Sequence, residues 1–319
     1  MNNSTSSHST QKLKILQAVL GGHRKTSKDE YYFKCPSCCH HKHKLAVNLS
    51  KNMFHCWICD YKGRSIRRLV RRFGNLKHLQ SWERIVGRID LRDFADLFAE
   101  DKFKEPPQKL ELPKEFISLT SQKPPRTSAY AMRYLRERGV SYADIVRWKI
   151  GYCFDGQYRA RVVVPSFDDD GDANYFIARS YNGDSYRYKN PKASKDVVFN
   201  ELFVDWNDDL VIVEGVFDAI RAGNAVPILG STLRTDSRLL RKIVSNDTPV
   251  YMALDPDATE KEHRIIETLL RYDVEVHKID VSGYEDVAEM PIEVFRERKK
   301  KAAFIDRDNY LLVKMLSAL

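Results

Sequence analysis

Two short apolar runs in this sequence end on acidic residues. Leu210-Val211-Ile212-Val213 stops at Glu214, and Val250-Tyr251-Met252-Ala253-Leu254 stops at Asp255, with Asp257 two residues further on. Both runs are rich in β-branched residues and lack polar alternation, the pattern of strands buried on both faces. A helical pattern follows each. Strand, carboxylate, helix, repeated, predicts a parallel α/β sheet whose functional loops lie at the carboxyl ends of its strands. Glu214, Asp255 and Asp257 would then meet at one edge, where hard oxygen donors suit Mg²⁺ or Mn²⁺ rather than zinc. Gly215 is expected to let the chain turn sharply out of its strand, and Pro256 to stiffen the acidic loop. A single strand-end acid is as readily a solvated loop residue; two, at the spacing of a strand-helix-strand unit, favour a site.

A second constellation is sulfur. Of six cysteines, five fall between Cys35 and Cys59. Cys35-Pro36-Ser37-Cys38 and Cys56-Trp57-Ile58-Cys59 are two CxxC pairs about one hairpin apart, the layout of a zinc ribbon in which four thiolates close a tetrahedron around one structural Zn²⁺. The x₂ spacing favours Cys38 as second ligand, because it makes the tight knuckle turn. Cys39 or one of His40, His41 and His43 remains the alternative. No thioredoxin-like βαβ pattern surrounds either pair, so structural zinc is expected over a redox dithiol, in a reducing compartment.

The elements that must position these groups follow from pattern and charge. With 53 Lys+Arg against 44 Asp+Glu the net charge is +9. Up to Lys104 the count is 21 basic against 9 acidic, and beyond it 32 against 35, so the basic excess sits in the amino-terminal third. That asymmetry points to a polyanion, most simply nucleic acid. No apolar run approaches the roughly 20 residues of a membrane span, and Met1 to Thr10 reads as a disordered lead rather than a signal peptide. Lys12 to Leu20 predicts a helix stopped by Gly21-Gly22, with strands at Tyr31 to Phe33 and Lys44 to Leu49. Lys62 to Arg72 predicts a helix with Ile66, Leu69, Val70 and Phe73 inward and Arg64, Arg67, Arg68, Arg71 and Arg72 toward water or phosphate. Helices continue from His78 to Phe98, with Ile85, Ile89, Phe94 and Leu97 as core. The Pro-rich stretch from Lys104 to Arg126 reads as an extended linker with possible short structure near Phe116. Beyond it come helices at Ser128 to Arg138 and after Ser141, then strands at Tyr158 to Pro165 and Ala173 to Ser180. Asp168-Asp169-Asp170-Gly171-Asp172 between these strands reads as a hairpin turn rather than a calcium loop.

The acid pair resembles the signature of the Toprim domain over roughly Leu210 to Met290. The order zinc ribbon, linker, basic strand region, Toprim resembles DnaG-type primases, bacteriophage forms included. Tyr134 to Val140 followed by Trp148-Lys149-Ile150-Gly151-Tyr152 looks like that family's entry to its polymerase core. Arg161-Val162-Val163-Val164-Pro165, Ala178-Arg179 and Tyr188-Lys189-Asn190-Pro191 look like its basic motif. Leu229-Gly230-Ser231-Thr232 looks like the small-residue Toprim loop, and Gly283-Tyr284-Glu285-Asp286 like its last acidic motif. There the family usually has two aspartates two apart; here only Asp286 aligns cleanly, with Glu285 or Glu289 as alternatives.

The resemblance implies an α/β multidomain chain: lead 1–10, zinc-ribbon DNA-binding domain 11–104, linker 105–125, basic subdomain 126–208, Toprim 209–290 and a short helical tail 291–319. It implies short RNA primers made on single-stranded DNA from ribonucleoside triphosphates, in a bacterial or phage-infected cytoplasm. Asp255, Asp257 and Asp286 would hold Mg²⁺ or Mn²⁺, and Glu214 would bind metal or act as base. Arg161, Arg179 and Lys189, or their neighbours Arg159 and Arg187, would grip template or triphosphate. Trp57 and Phe54 on the ribbon would stack on unpaired bases, or Trp57 would instead pack the knuckle. The tail is expected to be too small for the helicase-binding domain of cellular primases, and no GxxxxGK[ST] occurs, so a separate replicative helicase is the expected partner. The rivals are a Toprim nuclease, which keeps the metal acids and cuts, and a RecR-like DNA-repair binding protein, which would leave them idle.

Overall fold

The structure, a computed structural model, describes residues 3–27, 30–63, 65–86, 109–121, 123–183, 186–229, 233–307 and 310. It divides into two units, Met1–Asp96 with Arg271–Glu275, and Leu97–Leu270 with Val276–Leu319.

In the first unit, helix α1 (Asn3–Leu20) already begins at Asn3, so the expected disordered lead is helical from that residue on. No Gly or Pro interrupts the span, and Ser, Thr and Asn are only mildly unfavourable in a helix, so one seeded by the Leu13–Leu20 apolar face runs back through them. It ends as expected at Gly21, at φ +83°, whose N–H donates to the Gln17 carbonyl at 2.9 Å. Strands β1 (His23–Ser27), β2 (Glu30–Lys34), β3 (His43–Asn48), β4 (Met53–Cys56) and β5 (Lys62–Gly63) form an antiparallel sheet in that order. Period-two alternation turns Phe33, Leu45, Val47 and Phe54 onto Leu16 and onto Ile66, Leu69 and Val70 of α2 (Ile66–Phe73). Helix α3 (Leu76–Val86) adds Leu79 and Trp82 to the core. Ile85 is only half-buried, and Ile89, Phe94 and Leu97 lie outside the described residues.

The arginines of α2 do not all face water. Arg67 is buried and its Nε donates to the equally buried Glu83 Oε1, an ion pair between α2 and α3. Arg68 is also buried, and the guanidinium carbons of Arg68 and Arg72 lie 5.6 and 5.4 Å from the centre of the Tyr61 ring. Arg64 lies outside the described residues.

The second unit opens on an antiparallel sheet, β6 (Phe116–Ser118), β7 (Gly151–Cys153), β8 (Arg161–Phe167) and β9 (Ala173–Ser180). Part of the expected linker belongs to it. Leu110, Leu112 and Phe116 pack on Cys153, Tyr158, Val163 and Phe176, and Glu115 Oε1 accepts the Tyr158 N–H at 3.0 Å, so apolar burial docks the Pro-rich strand as a sheet edge. Helices α4 (Ala129–Glu137) and α5 (Tyr142–Arg147) lie where the periodicity puts them, with Ser141 capping α5. The acidic turn is a hairpin: Gly171 sits at φ +87° and Asp168 Oδ1 accepts the Asp172 N–H at 2.8 Å.

The parallel sheet follows: β10 (Leu210–Val213), α6 (Val216–Ala222), β11 (Ala225–Pro227), α7 (Arg238–Asn246), β12 (Val250–Ala253), α8 (Thr259–Arg271) and β13 (Val276–Lys278). The strand order is β11-β10-β12-β13, all parallel. All four residues of β10 are buried, as its uninterrupted apolar run requires. The sheet does not end at Met290. Helix α9 (Ile292–Lys300) brings the chain back and β14 (Ala303–Phe304) pairs antiparallel with β13; a parallel edge would otherwise keep unpaired N–H and C=O groups. Gly230 to Thr232 of the small-residue loop lie outside the described residues, and Leu229 is half-buried. Among the described residues no helix is long and apolar enough to cross a membrane.

Candidate active site

The first chain crossover out of β10 goes to β11 on one side, and the next strand, β12, lies on the other. Strand order therefore reverses between β10 and β12, which opens a crevice at their carboxyl ends. Val213 is in register with Ala253, so Glu214 and Asp255 leave the sheet at that crevice. Asp255 is half-buried. Burial first, then the charges of Asp218, Glu214, Asp286 and Asp257, pushes its carboxyl up to about 7. Asp255 Oδ1 and Glu214 Oε2 are buried without a hydrogen-bond partner, while Glu214 Oε1 accepts a hydrogen bond from Lys261 Nζ. Asp257 is exposed in the loop before α8. Of the alternatives in the last acidic motif, Asp286 is half-buried and its charge acts on Asp218 and Asp255, whereas Glu285 and Glu289 are exposed.

Asp218, in the first turn of α6, supports this edge. It is 5% exposed. Its Oδ2 accepts the Gly215 N–H at 3.0 Å and its Oδ1 the Ala288 N–H at 2.9 Å, tying the turn after β10 to the loop that carries Asp286. Burial, then the Asp286 charge, pushes its carboxyl up to about 6 against the pull of those two amides. The reason for glycine at 215 also differs from the expected one. Its φ of −120° suits any residue; what needs glycine is the approach of Asp218, whose Oδ2 would lie 2.9 Å from a Cβ.

In the first unit the four expected sulfurs converge. Cys35, Cys38, Cys56 and Cys59 Sγ all lie within 4.8 Å of one another, with Cys35–Cys59 at 3.8 Å and Cys38–Cys56 at 3.9 Å. A tetrahedron with Zn–S of about 2.3 Å has edges of about 3.8 Å, so the group is compatible with one structural zinc. Amides of Ser37 and Cys38 bond to Cys35, and those of Ile58 and Cys59 to Cys56, the result of two x₂ knuckle turns. The alternatives for Cys38 fall away. Cys39 Sγ turns to the Pro36 carbonyl at 3.5 Å, His40 and His41 stack on each other, and His43 Nε2 meets the Gly22 carbonyl. Among the described residues this is the one group of His, Cys, Asp and Glu donors close enough to share an ion without rearrangement; the carboxylates at the sheet edge stand further apart.

The solvent face of the ribbon carries a cross-strand row, Arg24, Tyr32, Ala46, His55 and Lys62, fixed by register. Trp57 is 62% exposed beside His55, ring centres 4.4 Å apart. Phe54 is core and offers no stacking surface.

The basic motif is brought together along β9, with one correction. The segment 186–189 pairs with its outer edge: Ser180 N–H donates to the Arg187 carbonyl and Lys189 N–H to the Ala178 carbonyl, both at 2.9 Å. Arg179 lies 4.5 Å over the Tyr188 ring, and Lys189 Nζ donates to the Gln157 carbonyl at 2.8 Å. Arg187, Tyr186 and Tyr188 are exposed. Arg161 is not available as a phosphate contact: it is 7% exposed and its guanidinium donates to the Arg159 and Tyr186 carbonyls, because alternation at the start of β8 turns it under the segment that follows β9.

An antiparallel sheet leading into a parallel sheet with acids at its switch point is the fold of a primase catalytic core. The catalytic domain of a DnaG primase bound to single-stranded DNA aligns at TM-score 0.52 and 19% identity, over 72% of this chain and 82% of its own. The Escherichia coli primase catalytic core aligns at 0.51 and 19%, over 61% and 79%. An Aquifex aeolicus primase with its zinc-binding and RNA polymerase domains aligns at 0.48 and 18%, over 96% and 87%. No protein-family model and no curated protein matches the sequence.

Proposed function

We propose that the chain is a DNA primase, joining ribonucleotides on a single-stranded DNA template by divalent-metal-dependent nucleotidyl transfer. One observation carries this reading: Glu214 and Asp255 leave β10 and β12 at the switch point of a primase-like fold, each with a buried carboxylate oxygen that has no partner. Such hard, anionic donors fit Mg²⁺ or Mn²⁺, which Glu214, Asp255, Asp257 and Asp286 would hold. When bound, the metal neutralises the triphosphate and favours attack of the 3′-hydroxyl on the α-phosphate with loss of pyrophosphate. Glu214, where it is not itself a ligand, would take the hydroxyl proton. Asp218 acts as a positioning residue, fixing the Glu214 turn against the Asp286 loop. Arg179, Arg187 and Lys189 supply cations beside Tyr186 and Tyr188, whose rings can stack on unpaired bases. The zinc site holds the ribbon that presents Trp57, His55 and Lys62 to template. The partners are single-stranded DNA, ribonucleoside triphosphates and a separate replicative helicase, in a bacterial or phage-infected cytoplasm.

The test is synthesis. Purified protein with Mn²⁺ or Mg²⁺, labelled ribonucleotides and mixed-sequence single-stranded DNA is expected to give short labelled RNA, and the Asp255→Ala protein none. DNA shortened without RNA product would instead assign a nuclease.

A further inference from the structure

One lysine stands among the acids of the sheet edge. Lys261 is the third residue of α8, in the turn that follows Asp255-Pro256-Asp257, and its Nζ donates to Glu214 Oε1 across to the end of β10. The two side chains are 21% and 27% exposed. The first turn of a helix carries positive partial charge and favours acids over lysine. Glu260 and Glu262 on either side obey that preference, so Lys261 is held by the Glu214 carboxylate it meets and not by its helix. The carboxylates of this edge oppose one another: Asp218, Glu214, Asp286 and Asp257 all act against the charge on Asp255. Lys261 meets one oxygen of Glu214 and leaves Glu214 Oε2 and Asp255 Oδ1 unsatisfied. An ammonium on a flexible four-carbon stem is a point charge that can withdraw without disturbing the backbone.

We propose that Lys261 is a displaceable internal counter-cation, holding Glu214 in the metal-free protein and giving it up when a divalent ion binds. The proposal rests on the reading of Glu214 and Asp255 as metal ligands. Lys261 thereby keeps the Glu214 side chain turned into the crevice before metal arrives, and it competes with the metal for that side chain.

The experiment is a Mn²⁺ titration followed by electron paramagnetic resonance of the free ion, on the full zinc-loaded chain. Four proteins are compared: wild type, Lys261→Met, Arg264→Met and Asp255→Ala. Arg264 pairs with Glu260 on the outer face of the same helix and controls for loss of one positive charge. Lys261→Met is expected to bind Mn²⁺ about fivefold more tightly than wild type, the size of one ion pair removed from competition. Arg264→Met should stay at the wild-type value, and Asp255→Ala should lose binding. Equal or weaker binding by Lys261→Met, with Asp255→Ala still defective, would overturn the displacement and leave the metal reading standing. Equal tightening in Lys261→Met and Arg264→Met would overturn it as a general field effect. Undiminished binding in Asp255→Ala, or none in any of the proteins, would remove both. A second readout needs no variant: acetylation of Lys261 by acetic anhydride, read by peptide mass, is expected to rise on addition of Mg²⁺, and an unchanged rate counts against displacement.

Discussion

A methyl group at position 215 would press on Oδ2 of a carboxylate whose two oxygens are each held by a backbone amide, so the Asp218 side chain cannot step aside. Gly215→Ala is therefore expected to cost about 1–3 kcal/mol of stability, read as a lower denaturant midpoint, and to reduce divalent-ion binding as the Glu214 turn shifts. Asp255 carries a pH signature. Its folded carboxyl titrates near 7 against about 4 when unfolded, so between those values the folded protein retains a proton that the unfolded chain has released. Metal-free stability should fall as pH rises through that window. Asp255→Asn should flatten the slope there, as measured by urea denaturation at a series of pH values in the presence of chelator. The strand-end acids and the CxxC sulfurs were legible because their chemistry depends on type and spacing. Arg161 and Gly215 were less legible: the Tyr186 carbonyl that holds Arg161 lies 25 residues on, and Asp218, three residues from Gly215, is fixed against it by the Ala288 amide 70 residues on. Lys261 left a faint signal, a cation in a helix turn where acids are favoured.

Among elements, the ribbon carries the four-cysteine group that is compatible with one structural zinc, and its stability is expected to depend on that ion. A strong chelator is expected to abolish the far-UV signal of the first unit, and thermal unfolding of the second should persist as a separate calorimetric transition; a single unchanged transition would contradict this. The α2–α3 contact supplies another measurement. Removing Glu83 leaves Arg67 buried without its α3 partner, and Glu83→Ala is expected to destabilise the first unit by about 3 kcal/mol. Helix α4 and strand β9, long enough to show their period, could be read directly, as could β10 from its uninterrupted apolar run. The short ones could not. Strand β6 has three residues and β14 two, too few to show alternation, and each exists because a neighbouring strand offers an open edge. Helix α1 was read too short because its polar first half has no apolar face of its own.

For the whole chain, the uneven charge makes a prediction about nucleic acid. Single-stranded DNA binding should weaken with salt in proportion to the phosphates contacted, about 0.7 in log–log slope for each. Combining Arg187→Ala with Lys189→Ala is expected to reduce that slope by about 1.4 if both meet phosphate, in fluorescence titrations at several salt concentrations. An unchanged slope would take the β9 edge out of the template path. The two-part plan, sulfur first and acids later, was visible in motif spacing and charge distribution, while the sheet-edge places of Phe116–Ser118 and Ala303–Phe304 were not, since each pairs with a strand far from it in sequence. The four parallel strands of the acidic sheet end at β11 and β13, and the two ends are protected differently. Strand β11 is three residues long and ends in Pro227, which has no N–H to offer a stranger. Strand β13 depends on β14, made only after everything else in the sheet. During synthesis the second unit therefore spends an interval with β13 as a bare edge, and any nascent or truncated chain that stops before Ala303 would keep that edge open to pairing with another copy.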